Sequence, residues 1–368
     1  MTPRVTIVHE RFTEFAGSEQ VVAQLAQLWP DAPVRAPIAL PDGLPPVLRE
    51  RVRGTGLSRL VRRGGGYAHL LPALPLAMRR LSLGDPDVVV ASHHAFANQV
   101  VHATTAPVIS YVHSPARWVW DPAMRAGEAG GAAGAAMLGA FAAAYRPADR
   151  KAAVRLAGIV ANSRAVAERI AQWWDQPSTV VHPPVDTEYY TPDEDVPREE
   201  FLLLAGRLVP YKRPALAIEA ARRAGMRLVV AGDGRMRAEC ERVAGPHTEF
   251  VGRVPDDQLR SLFRRCAALL MPGVEDFGIV PVEAQACGAP VIATGAGGAL
   301  DTVVPGRTGE LVHFGSGDGA GLTQRWALAL RELDPGHYRV GAVREHAEGF
   351  SSQRFRSSMN ALIGTIMD

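Results

Sequence analysis

The stretch PGVEDFGIVPVEAQACGAPVIAT (272–294) carries the signals of a strand end, a loop and a helix start in close succession. An apolar run ends just before it, and Pro281 stands where a first helical turn would begin, since proline needs no N–H partner there. Gly288 then ends the helix, and the apolar run 289–294 begins another strand. This order of elements predicts a βαβ unit with parallel strands.

Apolar runs rich in β-forming residues recur along the chain and alternate with helical patterns. Near-continuous apolar runs are typical of strands in sheets that helices cover on both faces. The runs fall into two series, with 5–9, 87–92, 107–113, 158–163 and 179–184 in the first half and 200–206, 227–234, 248–254, 268–273 and 289–294 in the second. The alternation predicts an α/β fold of doubly wound units.

Segment 182–200 separates the two series, because it is rich in proline and acid and lacks a helical period. A chain of 368 residues is long for one core, so we predict two Rossmann-like domains, residues 1–184 and residues 185–349. Ligands of open α/β sheets bind beyond the carboxyl ends of the strands, so two such domains would face a central cleft. Residues 350–368 predict an amphipathic helix that crosses back to the first domain, with its apolar face formed by Phe350, Phe355, Met359, Leu362 and Ile366.

The composition is that of a folded protein. Hydrophobic residues make up 47% of the chain and charged residues 21%, which excludes a disordered protein. The net charge of +2 argues against nucleic-acid binding through overall charge. No window reaches the roughly 18 apolar residues that a membrane span needs, and three cysteines are too few for a disulfide framework or a zinc site. We therefore expect a cytoplasmic protein.

The loop and helix of 272–294 contain two carboxylates, Glu275 and Glu283. Gly278 lets the loop backbone approach a ligand, and the N–H groups at the helix start suit an anion. Each carboxylate can accept two hydrogen bonds, which suits sugar and ribose hydroxyls. The residues alone leave a second interpretation open, because acids near a helix start are also favoured by the helix dipole.

The loop AGRLVPYKRP (205–214) follows the first strand of the second half and contains Arg207 and Lys212. Two cations in one strand–helix loop can bind a diphosphate and stabilise the charge that develops when its bond to a sugar breaks. A solvated basic loop explains the same residues, so this feature is weak in isolation.

Two further loops lie in the first half. In FAGSEQVV (15–22), Gly17 and Ser18 open a helix that can bind an anion, although Ser18 also suits a simple helix cap. In ISYVHSPARWVWD (109–121), His113 ends an apolar strand, where a histidine can bind a substrate or act as an acid or base, although most histidines do neither.

Together these loops resemble those of the retaining glycosyltransferases of family 4, whose members have the two-Rossmann GT-B fold. Glu275 and Glu283 are similar to the E-x7-E element of that family, 205–214 to its diphosphate loop, and 250–259 to its base-side strand and loop. The segments SHHAFA and YVHSPARWVWD resemble a branch with mannosyltransferases of bacterial surface-polysaccharide assembly. Nearly the whole chain shares the resemblance. One departure is Ala16, where many members have a second glycine.

The resemblance implies a role for each motif residue. Arg207 and Lys212 would grip the donor diphosphate, Glu275 would orient the donor sugar, and His113 would lie beside that sugar. The wider donor-binding set would include Gly17, Arg253, Val254, Phe277, Gly278, Ile279, Val280 and Glu283.

The resemblance also implies transfer of a hexose, with mannose favoured, from a nucleotide diphosphate sugar to an acceptor hydroxyl. The anomeric configuration would be retained through same-face attack, with the departing phosphate accepting the proton. No DxD-like metal site stands out, so we expect neither a metal nor a cofactor besides the donor, for which GDP-mannose is the leading candidate. A lipid-linked or other envelope glycan is the expected acceptor. A soluble small-molecule acceptor, a sugar-nucleotide 2-epimerase, a phosphorylase and a catalytically silent binding domain stay as alternatives.

Residues 49–63, RERVRGTGLSRLVRR, contain six arginines and one glutamate among apolar side chains. Such a basic patch can lie on an anionic membrane surface, which would make the protein peripheral on the inner face of the plasma membrane. A solvated helix face in an arginine-rich protein explains the patch equally well.

Overall fold

The computed structural model describes residues 3–64, 67–128, 131–314 and 319–367. The chain divides into two compact units, one comprising Met1–Pro184 with Gln353–Asp368 and the other Val185–Ser352.

The strands of unit 1 are β1 (Val5–His9), β2 (Arg11–Phe12), β3 (Val34–Arg35), β4 (Ile38–Ala39), β5 (Val52–Arg53), β6 (Val88–His93), β7 (Val108–Val112), β8 (Gly158–Ala161) and β9 (Thr179–Val180). Its α-helices are α1 (Gly17–Leu28), α2 (Leu57–Gly64), α3 (Leu74–Arg79), α4 (Arg117–Trp120), α5 (Pro122–Glu128), α6 (Ala132–Ala153) and α7 (Arg164–Trp174). Short 3-10 helices span Pro41–Gly43, Pro46–Leu48, Tyr67–Ala73 and Ala97–His102.

In the described part of unit 1, seven parallel strands form one sheet in the order β5-β3-β1-β6-β7-β8-β9, and β2 pairs with β4 beside it. The long central strands are buried along their whole length, since apolar clusters cover both faces. The chain runs outward from β1 in one direction and from β6 in the other. The carboxyl ends of β1 and β6 therefore form a topological switch point, where open α/β sheets bind ligands.

The strands of unit 2 are β10 (Phe201–Ala205), β11 (Arg227–Ala231), β12 (Thr248–Gly252), β13 (Ala268–Met271), β14 (Val291–Thr294) and β15 (Gly309–Val312). Its α-helices are α8 (Pro214–Ala224), α9 (Arg237–Val243), α10 (Asp256–Arg265), α11 (Ile279–Ala286), α12 (Ala299–Thr302), α13 (Gly319–Arg331) and α14 (Val340–Glu348), with 3-10 helices at Pro210–Lys212 and Pro335–His337.

The sheet of unit 2 has six parallel strands among the described residues, in the order β12-β11-β10-β13-β14-β15. Its switch point lies between β10 and β13, whose registers pair Leu202 with Ala268 and Leu203 with Leu269. The loops that follow these two strands, 206–213 and 272–278, therefore emerge side by side at one edge of the sheet.

The last helix, α15 (Ser352–Met367), belongs to unit 1 from Gln353 onward. Phe355, Met359 and Ile363 enter the apolar cluster of unit 1, because their spacing of four places them on one helix face. The sequence pattern put Phe350 on this face as well. In the structure Phe350 precedes the helix and packs in unit 2, 5.6 Å from the ring of Phe277.

Candidate functional site

In unit 2, the candidate donor site begins where β10 and β13 end. Arg207 lies two residues after the end of β10 and is exposed. Lys212 ends the 3-10 turn Pro210–Lys212 that follows. Glu275 lies in the loop after β13. Arg207, Lys212 and Glu275 line one small cavity at the switch point.

An ion pair joins the two halves of this site, since Lys212 Nζ lies 2.7 Å from Glu275 Oε1. Both side chains are about one-fifth exposed, at 18% and 21%. Burial lowers the pKa of Lys212, but the Glu275 carboxylate outweighs it and raises that pKa above its ordinary value. Lys212 therefore carries its charge at neutral pH, and two of its N–H donors can still turn to a phosphate.

Gly273 explains how Lys212 comes so close to the loop after β13. A Cβ atom at this position would lie 2.5 Å from Lys212 Cα and 2.7 Å from the carbonyl oxygen of Tyr211. Any side chain would push the 3-10 turn away and separate Lys212 from Glu275.

Helix α11 starts beside Glu275. Gly278 is its N-cap with φ +88°, a left-handed conformation that favours glycine. The N–H groups of Ile279 and Val280 come first in the helix and lack acceptors within it, so they can donate to an anion. Phe277 is buried and anchors the loop in the apolar cluster of unit 2.

Glu283 lies one turn further along α11, later than the first turn that its sequence position suggested. The side chain is 8% exposed. Burial and the nearby carboxylates of Asp256 and Asp186 raise the pKa of Glu283 to about 8, against the opposing effect of Lys212. The carboxyl is therefore largely protonated at neutral pH, and it can both donate and accept hydrogen bonds.

Arg253 and Val254 follow β12, at the same edge of the sheet but two strands from β10. Arg253 is exposed, and Val254 packs partly against the apolar cluster below. Gly252, with φ +70°, turns the chain into this segment.

In unit 1, His113 follows β7 and is bonded through Nε2 to Ser92 Oγ, 2.8 Å away. The same hydroxyl lies 3.0 Å from His9 Nδ1, and His9 Nε2 lies 3.2 Å from Glu19 Oε1. The ring of His94 stacks on His113 at 4.4 Å and 13°. Burial, helped by His9, lowers the pKa of His113 to about 3, so its imidazole is neutral at physiological pH.

Gly17 is the first residue of α1, and its N-cap is Ala16. Ser18 does not cap the helix, since its hydroxyl donates to Glu19 Oε2 at 2.9 Å. The same oxygen accepts from the Ala16 backbone N–H at 3.0 Å, so Glu19 fixes the Gly17 loop.

Glu10, next to this cluster, has a structural role. Its Oε1 accepts the backbone N–H groups of residues 94–97 at 2.5–3.0 Å, at the start of the 3-10 helix Ala97–His102. The ring of His93 packs edge-on against Trp174, with ring centroids 5.2 Å apart. Burial lowers its pKa to about 4.

Sequence reasoning missed Glu19, His9 and Ser92 as site residues. A signal for Glu19 was present, because an acid three residues after an N-cap commonly bonds back to that N-cap N–H. His9 and Ser92 lie on two different strands, and their contact follows from the pairing of β1 with β6, in which His9 is the register partner of Ser92.

The basic patch 49–63 is less uniform than its sequence suggests. Arg51 is half-buried and donates to the backbone carbonyls of Ala26, Trp29 and Ala32 at 2.7–3.2 Å. It therefore holds α1 and the chain after it together. Arg49, Arg53 and Arg59 are exposed, as is half of Leu60, whereas the side chains of Arg62 and Arg63 lie outside the described residues.

Within the described ranges, no three His, Cys, Asp or Glu side chains converge so as to hold a metal ion. Every helix in those ranges is too short or too polar to cross a bilayer.

Comparison with known proteins assigns the chain to a family. The model described as Glycosyltransferase Family 4 matches residues 15–189, and that of Glycosyl transferases group 1 matches residues 191–333. D-inositol 3-phosphate glycosyltransferase 1 of Catenulispora acidiphila is 32% identical over 307 residues, which cover 73% of this chain and 69% of that protein. This chain belongs to glycosyltransferase family 4.

Two other relatives of this family 4 chain are D-inositol 3-phosphate glycosyltransferases. That of Kribbella flavida is 36% identical over 50% of each chain. That of Mycobacteroides abscessus is 34% identical over 47% of this chain and 43% of its own. The matched region thus spans about half the length of these two relatives.

Solved structures share the fold across nearly the whole chain. HepE of Anabaena in complex with UDP-glucose has a TM-score of 0.69 and 16% identity, covering 99% of this chain and 100% of its own. Sucrose-phosphate synthase of Thermosynechococcus elongatus has a TM-score of 0.74 and 17% identity, covering 99% of both chains. The predicted GT-B fold with two Rossmann-like sheets is confirmed.

Proposed function

We propose that this chain is a retaining, metal-independent glycosyltransferase that moves a hexose from a nucleotide diphosphate sugar to an acceptor hydroxyl. The observation that carries the proposal is the ion pair of Lys212 and Glu275 at the β10–β13 switch point, with Arg207 beside it and the start of α11 next to it. Two cations and free N–H donors at one sheet edge suit a diphosphate, and an adjacent carboxylate suits the sugar attached to it.

Arg207 and Lys212 would stabilise the negative charge that develops on the diphosphate as its bond to the sugar breaks. Glu275 is better suited to orient the sugar than to attack it, because its ion pair with Lys212 at 2.7 Å holds the carboxylate and lowers its nucleophilicity. The departing phosphate would take the proton of the acceptor hydroxyl, and the product would keep the configuration of the donor.

The same charges support metal independence. A divalent ion in a transferase neutralises the leaving diphosphate, and Arg207 and Lys212 can supply that charge here.

The donor has two candidates. The resemblance to surface-polysaccharide mannosyltransferases favours GDP-mannose, while the complex of HepE with UDP-glucose supports a UDP-sugar. Incubation of the purified protein with a panel of nucleotide sugars separates them, because slow hydrolysis releases free nucleotide from the preferred donor. An altered nucleotide sugar would instead indicate an epimerase, and no reaction with any donor would contradict the proposal.

The acceptor also has two candidates. A lipid-linked or other envelope glycan follows from the resemblance, whereas the relatives named D-inositol 3-phosphate glycosyltransferase support a small phosphorylated polyol. With the donor known, product formation is measured with inositol phosphate and with a lipid extract. Faster release of nucleotide in one of the two identifies the acceptor class.

The exposed part of the basic patch supports a peripheral position on the inner face of the plasma membrane, with the site in the cytoplasm. Arg49, Arg53 and Arg59 with half-exposed Leu60 combine charge and apolar surface, as membrane-surface segments do. Flotation with vesicles of anionic lipid at low salt should carry the protein upward, and flotation should be lost at high salt. A protein that stays at the bottom at low salt contradicts this part of the proposal.

A further inference from the structure

Arg213 joins two elements of the candidate donor site in unit 2. It directly follows the 3-10 turn Pro210–Lys212 and is the N-cap of α8. Its backbone is left-handed, with φ +50° and ψ +46°. Among the described residues other than glycine, only Asp175 at the end of α7 also has a positive φ. A Cβ atom makes this region unfavourable, so the surroundings of Arg213 must hold it there.

The residue after Arg213 makes this conformation still harder to adopt. Pro214 is the first residue of α8, and a residue before proline is driven towards the extended region. Arg213 would therefore be extended by default. Two backbone hydrogen bonds keep it turned instead, since its N–H donates to the carbonyl of Pro210 at 3.0 Å and its carbonyl accepts from the N–H of Leu216 at 3.1 Å.

The backbone of Arg213 determines where Lys212 lies. Helix α8 is fixed in the apolar core through Ile218, whereas the turn before it has no buried residue. A change of backbone at position 213 therefore moves the turn. In the left-handed form the turn lies against Gly273, and Lys212 Nζ is 2.7 Å from Glu275 Oε1. An extended residue at position 213 would remove this bend and separate Lys212 from Glu275.

The side chain of Arg213 does not line the cavity at the switch point, although Lys212 and Pro214 on either side of it do. Its guanidinium lies over the half-exposed ring of Phe314, 5.1 Å from the ring centroid. This cation–π contact stabilises the observed form and offsets part of its conformational cost. The charge of Arg213 is therefore used at a neighbouring ring, while its backbone shapes the site.

We propose that Arg213 is a positioning residue whose left-handed backbone, and not its charge, presents Lys212 to the diphosphate of the donor. This inference rests on the proposed function. It predicts that glycine, which adopts a positive φ freely, can replace Arg213, and that a β-branched residue cannot.

Two variants that both remove the guanidinium test this prediction. Arg213→Gly should keep kcat for donor cleavage within about twofold of the wild type, whereas Arg213→Val should lower it about tenfold or more, in line with the left-handed cost of a residue with a Cβ atom. Arg213→Ala should give a smaller loss, and it takes the place of Arg213→Val if that variant does not fold. Equal kcat values in the glycine and valine variants would overturn the proposal.

Asp175→Val is the matched control for backbone strain. Asp175 has φ +56° and ψ +44° in unit 1, so valine meets the same conformational cost there. This variant should lose stability as Arg213→Val does but keep the kcat of the wild type. A loss of kcat as large as that of Arg213→Val would show that strain anywhere in the chain lowers activity, and it would overturn the proposal.

A second readout needs no donor. The chain has two lysines, so trace acetylation followed by mass spectrometry compares Lys212 with the exposed Lys151 as internal reference. The ratio of Lys212 to Lys151 acetylation should be low in the wild type, because the ion pair with Glu275 keeps the amine protonated. It should stay low in Arg213→Gly and rise severalfold in Arg213→Val.

An unchanged acetylation ratio in Arg213→Val, or an equal rise in Arg213→Gly, would overturn the proposal. A rise in the valine variant alone, in a protein whose wild type cleaves no nucleotide sugar, supports the positioning of Lys212 by Arg213 and contradicts the proposed function.

Discussion

Replacing Glu283 by glutamine should stabilise the ligand-free protein, and more strongly as the pH rises. The carboxyl is 8% exposed, and its pKa is about 8 in the fold against an ordinary 4.5. Between these values the folded chain keeps a proton that the unfolded chain has released, so the free energy of unfolding falls as the pH rises.

The slope in this window is about 1.4 kcal/mol per pH unit for one group. From pH 5.5 to pH 8 the wild type should therefore lose on the order of 3 kcal/mol that the neutral amide of the variant does not lose. The free-energy cost of packing the amide is the same at both pH values. The difference in the free energy of unfolding between wild type and variant therefore changes with pH only because Glu283 titrates.

Urea denaturation at the two pH values measures this difference. Glu239→Gln, on the exposed surface of α9, is the matched control and should change little at either pH. A stability difference between wild type and Glu283→Gln that is the same at pH 5.5 and pH 8 would refute the burial of an uncompensated carboxyl on α11.

Three further predictions concern stability and metal. Arg51→Leu should lower the free energy of unfolding, measured by urea denaturation, by about 3 kcal/mol, since buried carbonyls lose a charged donor. The control Arg59→Leu should lower it by less than about 0.5 kcal/mol. Equal losses in the two variants would contradict the structural role of Arg51. Asp149 accepts hydrogen bonds from the indole N–H groups of Trp120 and Trp174, both at 2.8 Å. Asp149→Ala should therefore lower the free energy of unfolding by on the order of 3 kcal/mol and change the tryptophan fluorescence. An unchanged midpoint of urea denaturation would contradict this. Donor cleavage should continue at full rate in excess EDTA, and a loss restored by Mg²⁺ or Mn²⁺ would show that a metal is required.

Much of the fold follows from the sequence because the central strands are buried on both faces and stay apolar throughout. Strands β3 and β5 could not be predicted in this way, since each has two residues and too little pattern to distinguish it from a loop. The position of Phe350 also differs from the prediction. Its spacing matches the apolar face of α15, but it lies before that helix begins and packs beside Phe277.

The residues of the candidate site could be predicted from the sequence, but their contacts could not. Arg207, Lys212 and Glu275 could be selected from loops at strand ends, but the contact of Lys212 with Glu275 depends on β10 and β13 being neighbours and on Gly273 leaving room. Arg51 illustrates the opposite case. Its charge looked like part of a surface patch, although its guanidinium is used for backbone carbonyls inside unit 1. The roles of the donor-binding residues remain predictions.

The most direct test of the central claim is the rate of donor cleavage in Arg207→Ala, Lys212→Ala and Glu275→Ala, measured with the preferred nucleotide sugar beside far-ultraviolet circular dichroism of each variant. Each variant should keep the spectrum of the wild type and lose activity by about a hundredfold or more, as expected when stabilisation of a developing charge is removed. Folded variants that all cleave the donor at the wild-type rate would contradict the assignment of the site.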